Sequence, residues 1–178
     1  KTKDTEQPKE SVILKGGQNW DDVVNANTTI MNHKINKAKK TIKQTASKYS
    51  NPLIVSFSGG KDSLCTLILV NETITDFKIL FIDTGIEFKE TVDYVKDTIN
   101  RFGLKNKFIY KTSSGDFWEG LKKFGPPARD FRYCCKTLKL SAVTEAISEN
   151  FNETIINFTG QRRYESIPRS QEKLVWTN

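Results

Sequence analysis

The sequence is poor in cysteine and histidine and has no long apolar run. Its cysteines are odd in number and two of them are adjacent, so they do not make a disulfide framework. The one histidine, His33, lies far along the chain from the motifs below and is expected to be an exposed polar residue. No segment reaches the roughly 18 consecutive apolar residues of a membrane span, and the first residues are polar rather than a signal segment. We therefore expect a cytoplasmic protein without membrane contact.

What the sequence does have is positive charge, with a net charge of +7 over 178 residues. This balance fits phosphate-rich ligands, nucleic acid included. The chain does not begin with Met, which suggests a piece of a longer protein. We expect three parts: a polar tail or linker over 1–19, a helix over 20–50, and one α/β domain over 51–178.

The 20–50 segment has the pattern of a long amphipathic helix. Apolar residues recur there at steps of three and four, with Asn27 as the one polar break, and they predict a face packed on the core. The opposite face is basic. It is interpreted first as a solvated surface and second as a contact for RNA or DNA. These lysines are Lys34, Lys37, Lys39, Lys40 and Lys43.

Apolar runs and helical patterns alternate over the rest of the chain. Strands are predicted over 53–57, 77–82, 107–110 and 154–158, and helices over 62–71, 89–102, 116–124 and 135–150. Such alternation is typical of α/β proteins, so we expect a three-layer sandwich with a mainly parallel, Rossmann-like sheet. Cys65 falls in the apolar run of the first of these helices and is expected to be buried.

The first strand ends in the sequence Ser-Gly-Gly-Lys-Asp-Ser. Two glycines between a strand and a helix let the backbone approach an anion at the positive end of the helix dipole. The segment is not the common ATPase loop, because Ser56 stands where that loop has Gly and Asp62 directly follows the lysine. We expect it to hold phosphate through Ser58, Gly59, Gly60, Lys61, Asp62 and Ser63.

Two further polar motifs also follow predicted strands. Asp83-Thr84-Gly85 follows the second strand, and Thr159-Gly160-Gln161-Arg162 follows the fourth. Ligands of doubly wound sheets bind at the carboxyl ends of the strands, so the three loops are expected to converge on one cleft. From the residues alone, Asp83 could hold a ribose hydroxyl, accept from adenine, help to hold Mg²⁺, or cap the next turn.

These motifs resemble those of known adenine-nucleotide-binding proteins. Ser-Gly-Gly-Lys-Asp-Ser is similar to the pyrophosphate loop of the adenine-nucleotide α-hydrolase superfamily. With Asp83-Thr84-Gly85 and Glu90-Thr91 one unit later, the chain resembles the phosphoadenosine phosphosulfate (PAPS) reductase family, with Lys89 where that family usually has Pro. The resemblance implies an adenine nucleotide (ATP, adenosine phosphosulfate (APS) or PAPS) with its phosphates on the 58–63 segment.

The resemblance extends to the segment that begins at Gly160. It implies that Arg162 and Arg169 contact the anionic end of the nucleotide and that Glu165 orients them. Lys61 and Arg162 are the candidate catalytic residues.

The resemblance also covers the adjacent Cys134 and Cys135. A disulfide between two adjacent cysteines would be strained, so they are not expected to bridge each other. They are expected to be partial ligands of a 4Fe–4S cluster, the other thiolates coming from a second pair beyond Asn178, or else to be a redox or bystander pair.

Three functions remain open at this point. The first is sulfonucleotide (APS or PAPS) reduction, served by a thioredoxin-like or ferredoxin-like electron donor. The second is a Mg²⁺-dependent ATP pyrophosphatase that adenylates a substrate for sulfur transfer to tRNA or DNA, which the unaltered phosphate loop suits. The third is a nucleotide-binding module without catalysis.

Overall fold

A parallel β-sheet forms the centre of the computed structural model, which describes residues 19–128 and 130–162. Within those residues it has four strands, β1 (Leu53–Ser56), β2 (Lys78–Asp83), β3 (Phe108–Thr112) and β4 (Ile156–Phe158). Their order is β3-β2-β1-β4, and every neighbouring pair is parallel. The chain moves outward from β1 to β3 and then returns to the other side of β1, which creates a switch point between β1 and β4.

Helices cover both faces of this sheet. They are α1 (Trp20–Lys48), α2 (Lys61–Asn71), α3 (Lys89–Arg101), α4 (Phe117–Phe124) and α5 (Ser141–Asn150). A 3₁₀ turn, Lys105–Lys107, precedes β3, and a π-helical segment, Cys135–Leu140, runs directly into α5. The expected α/β sandwich is therefore confirmed.

Each face of the sheet has its own apolar cluster. On one face Val55, Ile79 and Phe81 pack with the buried side chains of α2 and α3, and Ile42 of α1 joins them. On the other face Ile54 and Leu80 pack against Ala146 of α5. Strand residues alternate between the two faces, so consecutive side chains such as Ile54 and Val55 enter different layers. Both faces are buried, as is usual for a parallel sheet.

The long helix α1 begins after an asparagine N-cap. The Asn19 side chain accepts a hydrogen bond from the Asp22 N–H at 3.0 Å. The C-terminal half of α1 packs on α2 through Ile42 and through an ion pair of Lys39 with Glu72, 2.7 Å long. In the N-terminal half the exposed apolar side chains are Trp20, Val24 and Met31. His33 is exposed, as expected.

The prediction for Cys65 was wrong. This residue is exposed on α2. The buried residues of that helix are Ser63, Leu67 and Val70, which recur at steps of four and three and so define the inward face. Cys65 lies midway between the first two of them and therefore points away from the core.

No helix among the described residues is long and apolar enough to cross a membrane.

The α2 face gives a test of the core. Leu67→Ala removes a side chain that is 1% exposed and should lower the free energy of unfolding by about 2–5 kcal/mol, because a cavity is left in the core. Cys65→Ala, two residues earlier on the exposed face, should change it by less than about 0.5 kcal/mol. Equilibrium urea unfolding measures both values. Equal losses for the two variants would contradict the described orientation of α2.

Candidate functional site

The loop between β1 and α2 is held in a conformation that only glycine accommodates well. Gly59 has φ of +78°. A Cβ at this position would lie 3.0 Å from Val95 Cγ2 and 3.3 Å from Thr91 Cγ2, both on α3. The loop backbone therefore packs directly on α3, the helix that follows the Asp83 motif.

The Ser63 side chain holds this loop together through hydrogen bonds to its backbone. Its Oγ donates to the Gly60 carbonyl at 2.8 Å and accepts from the Ser58 N–H at 3.2 Å. The Ser58 and Ser63 hydroxyls also lie 3.1 Å apart. Ser63 is 6% exposed, so its hydroxyl serves the loop's own backbone while Ser58 stays exposed.

The start of α2 leaves backbone amides without a side-chain cap. Gly60 is the N-cap residue and makes no side-chain cap hydrogen bond. The N–H of Leu64 is bonded to the Gly60 carbonyl at 2.9 Å, so the N–H groups of Lys61 to Ser63 precede the first helical bond. Amides at a helix start, together with the helix dipole, favour an anion there.

The segment after β4 lies against this helix start. A Cβ on Gly160 would lie 2.4 Å from the Asp62 carbonyl oxygen and 2.7 Å from Thr66 Oγ1, so the β4 segment touches the backbone of α2. Two residues later the Arg162 guanidinium forms an ion pair with the Asp62 carboxylate, with Nε 3.1 Å from Oδ2. The 58–63 and 160–162 segments, distant in sequence, thus meet at the switch point.

The third motif, at the end of β2, has hydrogen bonds of its own. Asp83 Oδ1 accepts from the Gly85 N–H at 2.9 Å, and Asp83 Oδ2 accepts from the Tyr110 hydroxyl on β3. Glu87 accepts from the Thr84 N–H at 2.8 Å and from the Thr84 hydroxyl at 2.9 Å. This motif follows the strand beside β1, and its own helix packs on Gly59, so it lies on the same edge of the sheet as the other two.

The Asp83–Tyr110 pair shifts the ionisation of both groups. Burial alone would raise the pKa of Asp83, but hydrogen bonds from Tyr110 and Gly85 and the charge of Lys96 lower it below its ordinary value. Burial and the hydrogen bond to Asp83 raise the pKa of Tyr110 to about 12. At neutral pH Asp83 is therefore a carboxylate and Tyr110 is the donor.

Sequence reasoning missed Glu87 and Tyr110. A local signal for Glu87 was present, because Thr84-Gly-Ile-Glu87 has the Thr-x-x-Glu spacing of a capping box, in which the glutamate reaches back to an N–H. No local signal identifies Tyr110, since 27 residues separate it from Asp83. Only the register of β2 on β3, in which Phe81 pairs with Tyr110, brings them together.

The cysteine pair is positioned by different elements. Tyr133 precedes it and is buried against α4, where a Cβ on Gly120 would lie 2.8 Å from Tyr133 Cε2. Cys134 is half-buried and Cys135, at the start of the π-helical segment, is exposed. Both are free thiols.

These residues do not complete a metal centre by themselves. In the part of the chain that the structure describes, no three His, Cys, Asp or Glu residues are grouped so that they could hold a metal ion. A 4Fe–4S cluster requires four thiolates. Cys134 and Cys135 therefore supply at most half of such a ligand set.

Comparison with known proteins agrees with this geometry. The family model described as phosphoadenosine phosphosulfate reductase domain matches residues 52–178, which include all three loops. The chain belongs to the phosphoadenosine phosphosulfate reductase domain family. The resemblance noted from the sequence is thereby confirmed.

Several relatives of this PAPS reductase domain are similar over most of its length. Two uncharacterized proteins of Methanocaldococcus jannaschii are 39% identical over 160 residues (89% of this chain, 33% of the relative) and 41% identical over 121 residues (68% and 28%). An adenosine 5'-phosphosulfate reductase of Staphylococcus epidermidis is 25% identical over 150 residues (82% and 58%). The chain thus spans about a third of the length of the two archaeal relatives.

Two of the residues predicted for the site of this PAPS reductase domain, Glu165 and Arg169, lie outside the described residues. The site roles of the others stay predictions. The structure brings the 58–63 and 160–162 segments into contact and sets the Asp83 motif on the neighbouring strand.

The contact of the PAPS reductase domain's Gly160 with α2 can be tested by a matched pair of alanine variants. Gly160→Ala should lower the free energy of unfolding by about 1–3 kcal/mol, because the atoms in its way belong to the Asp62 backbone. Gly60→Ala is the control: its nearest neighbour is Ser58 Oγ at 3.5 Å and its φ of −77° suits alanine. Thermal unfolding compares them, and a fully tolerated Gly160→Ala would refute the close approach.

Proposed function

We propose that this domain binds an adenosine phosphosulfate and serves sulfonucleotide reduction. The observation that carries the proposal is the meeting of two anion-suited segments at the switch point. There the uncapped start of α2, with Lys61, lies against the segment of Arg162. Membership of the PAPS reductase domain family and the similarity to adenosine 5'-phosphosulfate reductases support it.

In this proposal the loop amides and the two cations stabilise the phosphate end of the nucleotide. A cysteine thiolate attacks the sulfur of the phosphosulfate and forms an S–S bond, while the S–O bond to phosphate breaks. The adenosine phosphate leaves with that electron pair, and a thiosulfonate remains on the attacking cysteine. A dithiol donor of the thioredoxin-like kind then releases sulfite and is itself oxidised to a disulfide.

Lys61 and Arg162 act on the leaving phosphate. Lys61 directly precedes Asp62 in the sequence, and the Asp62 carboxylate holds the guanidinium of Arg162 close to the helix start. Charge on the departing phosphate develops beside these groups, where prepositioned donors are most effective. The thiolate nucleophile is not assigned to any of the three cysteines described above.

For Cys134 and Cys135 the proposed role is to provide two thiolates of a 4Fe–4S cluster. Adjacent thiols with one side chain exposed fit partial ligation, with the remaining ligands outside the described residues. When bound, the cluster would be held in part by the Cys134 and Cys135 thiolates and would supply a redox-active iron–sulfur centre. Nucleic-acid contact through the lysines of α1, a ferredoxin-like donor and a cytoplasmic location stay predictions.

One observation favours a second candidate, the Mg²⁺-dependent ATP pyrophosphatase. The Ser-Gly-Gly-Lys-Asp-Ser loop keeps the full sequence of a pyrophosphate loop and exposes Gly60 and Lys61 at the helix start, which suits the β- and γ-phosphates that a phosphosulfate lacks. In that case the loop and Lys61 would stabilise departing pyrophosphate. A nucleotide-binding module without catalysis is the third candidate.

The ligand order separates the first two candidates. We expect calorimetry on this chain to show tighter binding of APS or PAPS than of ATP, with or without Mg²⁺, because the proposal assigns the Lys61 and Arg162 cations to the phosphosulfate group. Tighter binding of ATP in the presence of Mg²⁺ would replace the reductase proposal with the pyrophosphatase.

Removal of the loop cation tests the site itself. Lys61→Ala should weaken binding of the preferred nucleotide by about tenfold or more, the cost of one charge-assisted hydrogen bond to phosphate. Lys40→Ala, which removes an exposed lysine from α1, is the matched control and should leave the affinity unchanged. Equal affinities of both variants and the wild type would show that the nucleotide binds elsewhere.

A further inference from the structure

We propose that Tyr110 is a positioning residue, which aims the Asp83 carboxylate at a neutral donor group of the nucleotide, a hydroxyl or amino group, rather than at Mg²⁺. The proposal rests on the nucleotide site proposed above. It goes further by naming what Asp83 recognises and which side chain sets its orientation.

The Tyr110 residue is 37% exposed, and its ring is contacted by two aromatic rings and a lysine. It contacts the Phe81 ring at a centroid distance of 5.6 Å and the Phe108 ring at 6.3 Å. The ammonium group of Lys96, on α3, lies 5.0 Å from the Tyr110 ring centroid. A ring held in this way presents its hydroxyl at one place, and that place is occupied by Asp83 Oδ2.

The Asp83 carboxylate is consequently held at both oxygens. Gly85 donates to Oδ1 and Tyr110 donates to Oδ2, so the carboxylate plane cannot rotate without losing a bond. Each carboxylate oxygen can accept two hydrogen bonds, which leaves one acceptor position on each for a ligand. The neighbouring Asp83↔Thr112 pairing ends β2 at this point, and the half-buried carboxylate lies at the carboxyl edge of the sheet.

The surroundings favour a neutral donor over a metal ion. Among the described residues, the charged and titratable groups that face Asp83 are Tyr110 from β3, Lys96 from α3 and Glu87 from its own loop. Lys96 adds positive charge that opposes a second cation. Glu87 adds negative charge, but it already accepts from the N–H and hydroxyl of Thr84. Mg²⁺ requires near-ideal octahedral geometry, which a carboxylate already held at both oxygens is less free to complete, whereas a hydroxyl or amino group needs only one acceptor.

The test uses Tyr110→Phe, which keeps the ring contacts and removes only the hydroxyl. The pKa of Asp83 is lowered in the folded chain, so its contribution to stability is present above the unfolded-state pKa and is lost as pH falls through the folded value. Without the Tyr110 hydroxyl this loss should begin at higher pH. The control is Tyr49→Phe, since Tyr49, the residue that follows α1, also has a lysine ammonium over its ring, that of Lys48 at 5.1 Å from the ring centroid.

The first measurement needs no nucleotide. Carboxyl ¹³C NMR should show a higher pKa of Asp83 in Tyr110→Phe and an unchanged one in Tyr49→Phe. In the wild type, Mg²⁺ alone should leave the Asp83 signal in place. An unchanged pKa of Asp83 in Tyr110→Phe, or a wild-type Asp83 signal that moves with Mg²⁺, would overturn the proposal even if nucleotide binding is confirmed.

The second measurement is nucleotide affinity against pH. Tyr110→Phe should bind about three- to tenfold more weakly, and the acid limb of its affinity profile should move to higher pH. A purely structural role would lower the unfolding temperature and leave the acid limb in place, which would count against positioning.

Asp83→Asn serves as the second variant. Its loss of affinity should not increase when Tyr110→Phe is added, because the tyrosine acts through Asp83. Additive losses would refute that route. If no nucleotide binds to the wild type, the proposed function fails, and the NMR titration still decides the Tyr110–Asp83 relation.

Discussion

The pairing of β1 with β4 is the constraint on which the rest of the proposed site depends. In the register Val55↔Phe158 both strands end at the same level of the sheet. The segments that follow them therefore lie side by side. Gly160 then meets the backbone of Asp62, and Arg162 meets its carboxylate. Without this long-range strand pair the 58–63 segment would be an ordinary turn before a helix.

Much of this could be predicted from the sequence because the signals are local. The glycine pair after an apolar run, the strand–helix alternation and the N-cap at Asn19 each depend on residues a few positions apart. The four strands and the helices α1 to α4 begin and end within about two residues of their predicted positions, whereas α5 begins at Ser141 rather than at 135. The convergence of the loops follows from one topological rule applied to these elements.

What could not be predicted depends on contacts across the sheet or on the phase of a helix. In the sequence Tyr110 looks like an ordinary apolar strand residue. Only the register of β2 on β3 shows that its hydroxyl lies at Asp83. Cys65 sits in an apolar run in which nearly every neighbour is apolar, so the sequence gives no reliable inward face. In the sequence the π-helical segment that begins at Cys135 looks like the first turns of α5, since a π-helix differs from an α-helix only in hydrogen bonds that span one residue more.

The packing of Gly59 on Val95 affects how much conformational entropy the loop would lose on binding the proposed ligand. In the proposed site the loop backbone rests on α3 and the loop's serine hydroxyls bond to each other, so contacts of its own hold the loop in shape. Little conformational entropy remains to be lost on association, so binding free energy is not consumed in ordering the loop. Because Gly59 packs on α3, a displacement of that helix would also displace the loop backbone.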